Sequence, residues 1–359
     1  MKKILFILSI NIFYANAEII NFNEMQIMLR NKIMTYKDAQ KYNLWETIPK
    51  NTEFTINQQN NYVPDLRNHL SVTGEYKNYN DDSLIFSQEL SNALLKYQEN
   101  NNLKNTGYLN IETITQLNEP INKTIYNLNK NLERLKTYNY NGDYILVNLP
   151  FYQLNIIYQD KSIYQMPIII GKSKTQSCTL NSEITSIVFN PSWYVPSSIA
   201  KKEMIPKLEN NPDYFEKHNI HITNNEHQDI DINNIFSEDY SNLKFVQYPG
   251  NNNALGKVKF IFKNDCGIYL HDTNQHNLFS KDLKGLSHGC IRLSNPDILS
   301  QYLLKYNNFN DNEINDYLQL KNTKTINLKN PVDIHIIYLN MYVNSNNEVL
   351  SRKDIYNKN

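Results

Sequence analysis

The spacing of hydrophobic positions changes once along this chain, from a helical period to an alternating one. In the N-terminal third, Leu90, Ala93, Leu94 and Tyr97 fall at i, i+3, i+4 and i+7, the apolar stripe of one helix face. A break at Asn100-Asn101-Asn102, a Thr106-Gly107 turn and a short run from Thr113 to Leu117 predict a second helix after it. Earlier stretches, Glu24 to Ala39 and Val63 to Leu70, are helix-like but separated by polar Asn/Gln runs, and Ile125 to Leu135 predicts a linking helix. From Tyr144 onward the runs become short, β-branched and aromatic, with turn residues between them: Tyr144 to Leu149, Phe151 to Tyr158, Tyr164 to Gly171, Ser186 to Phe189. Val332 to Tyr338 reads as a final strand. The pattern is that of an α+β protein, with helices first and a β-rich region after.

One long segment fits neither period. From Asn190 through about Leu243 the chain is helix-like between Ser198 and Leu208 and between Pro212 and His218, then polar and rich in Asn and Asp. An insertion of this length in a strand region is commonly a lid. Its histidines, His218, His221 and His227, read as solvated loop residues, and His335 in the last strand as one that packs or faces solvent. At the other end, Met1-Lys2-Lys3, the apolar run Ile4 to Tyr14 and Ala15-Asn16-Ala17 have the layout of a secretory signal, which places the mature start near Glu18. The apolar run is shorter than the roughly 20 residues needed to span a bilayer. Export and release is the expectation, with an uncleaved anchor as the alternative.

Composition adds little. The 359 residues are enough for two or three domains around a sizeable core. Lys+Arg and Asp+Glu number 36 each, so no field for a polyanion is implied and nucleic acid is not an expected partner. The 26 Tyr and 9 Gly look like coding bias.

The chemistry lies near the end of the β-rich region. His271 closes the apolar run Gly267-Ile-Tyr-Leu, as at a strand end, and Cys290 sits in Ser287-His-Gly-Cys-Ile-Arg292, a Gly-hinged turn that would expose a thiol. A thiol attacks an acyl carbon as its thiolate, and a nearby imidazole or oriented N–H groups supply one. Taken singly, each residue also has a plain reading: a lone cysteine is usually packing. His271, Asp272, His276, His288 and Cys290 are all metal-ligand types, yet none of the compact spacings of a zinc site is present. The order histidine then cysteine is the reverse of a papain-like hydrolase.

Together, His271 and Ser287-His288-Gly289-Cys290-Ile291-Arg292 resemble the signature of the YkuD-type L,D-transpeptidases of the bacterial cell wall. Gly267-Ile-Tyr-Leu-His-Asp-Thr, Asn277-Leu-Phe-Ser and Ala254-Leu-Gly-Lys-Val-Lys-Phe are similar to the YcbB-like branch, as are Leu44-Trp45-Glu-Thr-Ile-Pro49 and Asn190-Pro-Ser-Trp193-Tyr-Val-Pro196. Ala93-Leu94, Tyr97-Gln98, Thr106-Gly107 and Leu117-Asn118 resemble the helical peptidoglycan-binding module, although its apolar positions build a core and not a glycan site. The resemblance runs from about Leu44 to Tyr356. Taken with the N-terminal pattern, the expected organisation is a signal peptide at 1–17, a scaffold region at 18–80, the helical module at 81–121, a linking helix at 122–143, a β-rich, sandwich-like catalytic domain at 144–340 with a capping insertion at about 191–243, and a C-terminal tail at 341–359. Gly171-Lys172 resembles the end of the strand that precedes a loop over the site.

What the resemblance implies for mechanism follows the same residues. Cys290 is the nucleophile and His271 the base. The Cys290 N–H, with Gly289 or the Tyr269 hydroxyl, would hold the oxyanion. Asp272, by backbone or side chain, would orient His271; Ser287 belongs to the supporting turn; Arg292 would brace the loop or meet a substrate carboxylate; His288, where close relatives often carry Ser, would shape the thiol's surroundings. Tyr248 and Trp193 would line a substrate groove or pack in a core. The expected substrates are peptidoglycan stem peptides, as donor and as acceptor, with other cell-wall enzymes as further candidate partners and with neither metal nor cofactor. A carboxypeptidase, a lipoprotein-to-wall transferase and an idle peptidoglycan-binding protein remain as alternatives. With Cys290 kept as a thiol, Cys178 and Cys266 are left as a disulfide or as two buried thiols. The implied compartment is the periplasm.

Overall fold

A computed structural model of the protein describes residues 21–77, 82–211, 213–224, 228–230 and 243–359. The expected signal peptide and His227 lie outside them. Five helices come first: α1 (Phe22–Lys41), α2 (Val63–Thr73), α3 (Gln88–Asn100), α4 (Ile111–Leu117) and α5 (Ile121–Leu135). Asn21, Ser87 and Asn110 cap α1, α3 and α4 by accepting first-turn N–H groups on their side-chain oxygens. The linking helix starts at Ile121, ahead of the expected Ile125, because Pro120 already sets it apart from α4.

The Gln and Thr-Gly of the helical module have a structural explanation. Gln98 on α3 is fully buried, and its side-chain oxygen accepts the N–H groups of Thr106 (2.8 Å) and Gly107 (2.9 Å). Its amide nitrogen donates to the Tyr108 carbonyl (2.8 Å) and the Thr113 hydroxyl (3.1 Å), so one side chain shapes the turn between α3 and α4. The expected boundary at residue 80 does not divide two cores. Ile48, Val63, Leu66 and Leu70 pack with Phe86, Leu94, Tyr97 and Leu117 in a single cluster, while α1 turns away to another.

The rest is built on β1 (Tyr144–Asn148), β2 (Gln153–Tyr158), β3 (Lys161–Gly171), β4 (Leu180–Phe189), β5 (Trp193–Val195), β6 (Ile220–Thr223), β7 (Lys244–Gln247), β8 (Val258–Phe262), β9 (Leu270–His271), β10 (Gly285–Ser287), β11 (Ile291–Leu293), β12 (Lys324–Ile337), β13 (Met341–Val343) and β14 (Val349–Ser351). Nine of these form one mixed sheet in the order β10-β3-β11-β9-β8-β4-β12-β1-β2, and β2 also pairs with β3. The sheet therefore curls back through the long strand β3 and encloses its own core. Every strand from β1 to β4, together with β8, β9, β11 and β12, sends alternate residues into that interior. β1 is buried on both faces: Ile145 and Val147 point inward, while Tyr144 and Leu146 meet α1 and α5 outside. That two-sided burial is why its sequence reads as an unbroken apolar run.

The C-terminal residues are part of this outer layer. The β13–β14 hairpin packs Met341, Val343 and Val349 against Leu29, Ile33, Leu128 and Leu132 of α1 and α5, and the Tyr356 hydroxyl donates to the Gly171 carbonyl at 2.8 Å.

The insertion forms its own small unit between β4 and β8. Its sheet runs β5-β7-β6, so the unit extends to Gln247, past the expected end near 243, because β7 is its central strand. Val195, Met204, Phe215, Ile222 and Phe245 fill its core. The helical segment across Ala200–Met204 is wound as a π turn. His218, expected in solvent, is half-buried: its ring stacks on Tyr214 at 4.0 Å and its Nδ1 meets the Tyr214 carbonyl at 2.8 Å. His335 packs, stacking on Tyr140.

Phe260 on β8 is fully buried at the centre of the main core. Phe260→Ala is expected to cost about 3–5 kcal/mol, the range for large-to-small changes in tight cores. Denaturant unfolding of the two proteins measures it, and a loss under about 1 kcal/mol would contradict this packing.

Candidate active site

Three neighbouring strands place the polar residues of the site. Phe260 of β8, Leu270 of β9 and Ile291 of β11 lie side by side and point into the core. One position along, Lys259, His271 and Arg292 are also direct partners, Lys259 with His271 and His271 with Arg292. Because side chains alternate, that second row stands on the opposite face of the sheet. A histidine is thereby set between two cations. Cys290 lies just ahead of β11 and Tyr269 just ahead of β9, with the Ile291 N–H donating to the Tyr269 carbonyl at 3.1 Å, so the thiol and the tyrosine sit at the end of the row. The rings of Tyr269 and His271 are 5.6 Å apart, and the Lys259 ammonium lies 5.4 Å from the centre of the Tyr269 ring.

His271 is buried, and its Nδ1 faces the Asp272 main-chain carbonyl. A carbonyl only accepts, so Nδ1 carries the proton and Nε2 keeps its lone pair. Of the two ways Asp272 could orient His271, the structure takes the backbone. The Asp272 carboxylate is engaged elsewhere, accepting the Lys257 N–H at 2.8 Å and lying 3.2 Å from His276 Nε2. It rests on Gly256, whose φ is +61° and where a Cβ would come within 2.2 Å of the carboxylate.

Electrostatics favour the neutral forms of both reacting groups. Burial, then the charge of Arg292 and, more weakly, that of Lys259, push His271 down to about 3, against a smaller opposing effect of the Asp272 carbonyl. Burial pushes the Cys290 thiol up, while hydrogen bonds from the Tyr269 main chain and hydroxyl and the charges of Arg292 and Lys259 pull the other way. At neutral pH the two groups are therefore thiol and imidazole.

The turn around Cys290 is held from both sides. Gly289 has φ +125°, a conformation that L side chains rarely adopt, and its carbonyl accepts from Ser177 Oγ at 2.6 Å. The Ser287 hydroxyl donates to the Cys290 carbonyl (2.5 Å) and accepts the Gly289 N–H (3.1 Å). The expectation that Gly289 lends an N–H to an oxyanion gives way here, since that N–H is already spent on Ser287; the Cys290 N–H has no such partner among the described residues. The Lys172 N–H and Thr175 Oγ1 both donate to the Ser287 carbonyl at 3.0 Å. The loop after β3 thus clamps the turn. Cys178, at the end of that loop, is disulfide-bonded to Cys266, just before Tyr269, and Cys290 is the free cysteine.

The remaining expected residues fall further out. His288 points to the inserted unit, where its Nε2 lies 2.6 Å from Glu203 on the π turn. Arg292 donates to the Gln275 side chain at 3.0 Å, bracing the loop after β9. Trp193 packs at the edge of the cap's core, and Tyr248, exposed, meets the His221 ring edge-on. Neither is brought against Cys290 by any contact. Two cavities, of about 720 and 1230 Å³, also lie elsewhere and are lined by neither His271 nor Cys290. Sequence reading misses Lys259 and Glu203. Alternation in Val258-Lys-Phe-Ile-Phe262 already puts Lys259 opposite the core, but its pairing with His271 has no local signal.

Residues 142–304 match the family model of the YkuD L,D-transpeptidase catalytic domain. Over that stretch the chain is similar to the YkuD-type L,D-transpeptidases. A Haemophilus influenzae protein provisionally named an L,D-transpeptidase is 29% identical over 215 residues, 59% of this chain and 44% of its own length, so the match spans less than half of that relative. Solved structures that overlap include an L,D-transpeptidase from Stackebrandtia nassauensis (11% identity, 81% of this chain, 97% of that one, TM-score 0.29) and one from Mycobacterium smegmatis (13% identity, 55% and 59%, TM-score 0.26). His271 and Cys290 both lie inside the matched L,D-transpeptidase region.

Two results are expected from this geometry. Iodoacetamide should alkylate Cys290 slowly at neutral pH, with a rate that climbs into the alkaline range, since a raised thiol pKa leaves little thiolate below it; a plateau from pH 6 upward would reveal a thiolate–imidazolium pair instead. Gly256→Ala should displace the Asp272 carboxylate and disturb the carbonyl next to His271, lowering the alkylation rate or the melting temperature, whereas an unchanged protein in both assays would mean that the close contact is relaxed.

Proposed function

We propose that the protein is a cysteine acyltransferase that forms cross-links between third-position residues of peptidoglycan stem peptides. The observation that carries the reading is that a free, partly buried Cys290 just ahead of β11 and a buried His271 on the neighbouring strand β9, its Nδ1 tied to the Asp272 carbonyl, lie within the region that matches the L,D-transpeptidase family model. Cys290 Sγ attacks the carbonyl carbon of the third residue of a tetrapeptide stem as His271 Nε2 takes the thiol proton. The Cys290 N–H, with the Tyr269 hydroxyl, receives the charge that develops on the carbonyl oxygen. Collapse breaks the C–N bond to the terminal D-Ala, which leaves with the proton held by His271, and a thioester remains. An amine of a second stem then attacks the thioester, His271 accepts its proton, and the C–S bond breaks to return the thiol. Water in place of that amine would give a carboxypeptidase, and an amine on a lipoprotein a wall-anchoring transferase.

The inserted unit, joined to the catalytic turn through Glu203 and His288, would limit water at the thioester. Action outside the cytoplasm fits the Cys178–Cys266 bridge, because disulfides persist in oxidising compartments; the periplasm is the compartment proposed.

The test is turnover of tetrapeptide-stem peptidoglycan fragments resolved by mass spectrometry. The protein should release D-Ala and yield a dimer, and Cys290→Ala should do neither. D-Ala release with monomer alone would make it a carboxypeptidase, and a reaction that survives Cys290→Ala would refute the mechanism.

A further inference from the structure

The row on the outer face of β8, β9 and β11 holds two cations with no anion. Lys259 and Arg292 are both partly buried, on either side of His271. Among the described residues neither forms an ion pair with a carboxylate. Lys259 faces an aromatic ring and Arg292 reaches only the neutral amide of Gln275, with its Nε buried and unpartnered. Lys305, by contrast, pairs with Asp311 at 3.0 Å. Keeping two positive charges out of water without a counter-ion is costly. Their spacing about His271, beside the nucleophile, directs that unmet charge at whatever is bound when the acyl carbon is attacked.

We propose that Lys259 and Arg292 form a carboxylate subsite that receives the free C-terminal carboxylate of the donor peptide. The inference rests on the acyl-transfer reading above and deepens it by naming the part of the donor that is recognised. In a stem cut before its last residue, that carboxylate lies one residue beyond the scissile carbonyl, within reach of side chains flanking the thiol. The planar guanidinium gives it geometry and the ammonium gives it charge. Lys259 is accordingly a substrate-binding residue, and its side-chain position over Tyr269 fixes where the carboxylate end lies. The pair selects donors that end in an acid and disfavours those already amidated.

The experiment compares two donors, a tetrapeptide stem and its C-terminal carboxamide, with the wild-type protein and with Lys259→Met. Wild type should prefer the acid by about tenfold or more in kcat/KM, roughly the value of one charge-assisted hydrogen bond. Lys259→Met should shrink that acid-over-amide ratio by a similar factor, whatever common change in rate its loss beside His271 brings to both donors, and Lys259→Arg should restore it. Equal losses on both donors would overturn the proposal and assign Lys259 to the thiolate or oxyanion. Equal use of acid and amide by wild type would overturn it too. Should Lys259→Met fail to fold, calorimetry with Cys290→Ala decides the matter: acid binding tenfold tighter than amide supports the subsite and equal binding refutes it. Failure of wild type to process either donor would instead sink the acyl-transfer reading itself.

Discussion

The pairing of β8, β9 and β11 in one register is the constraint on which the site depends. Phe260, Leu270 and Ile291 are locked into the core as neighbours, and alternation then leaves no choice about Lys259, His271 and Arg292. A slip of one residue in any of these strands would bury a charge and expose an apolar side chain. The hydrophobic core thus sets the relative positions of His271 and the two cations beside it. It also sets their electrostatics, because the same burial and the same two flanking cations hold His271 in its neutral form.

Cys290 is not on a strand, so its position needs separate support. That comes from Gly289, whose backbone conformation lets the turn present the thiol, and from hydroxyl groups that tie the turn to its surroundings: Ser287 from within, Thr175 and Ser177 from the loop after β3. The Cys178–Cys266 bridge joins that loop to the segment leading into Tyr269 and His271. Cys290 and His271 are thereby held by one connected frame. The inserted unit touches the frame through Glu203 and His288.

Much of this was legible in the sequence. Cys290 and His271 stand in a motif whose spacing carries its own chemistry, and the strands from Tyr144 onward announce themselves by composition. The turn between α3 and α4 is readable because Gln98, Thr106 and Gly107 act as one set. What stays hidden depends on pairing between distant segments. Lys259 looks like an ordinary outward strand lysine until β8 is laid beside β9, and Glu203 like a solvated helix residue until the insertion folds over His288. The shared core of Ile48 and Val63 with α3 and α4 is invisible for the same reason: its contacts cross a polar stretch that local pattern reads as a boundary. Gly289 was legible as a hinge, but the capture of its N–H by Ser287 was not, since a hydroxyl's partner is decided by three-dimensional geometry.

The resting site holds a neutral imidazole with its proton on Nδ1, near a protonated thiol. Nitrogen-15 NMR of histidine-labelled protein, with His271 assigned by the loss of its signals in His271→Gln, reads that state directly. A protonated Nδ1 and a bare Nε2 are expected from pH 8 down to at least pH 5, well above the value of about 3 to which burial and the two cations push His271. An imidazolium at neutral pH, or a proton on Nε2, would contradict it.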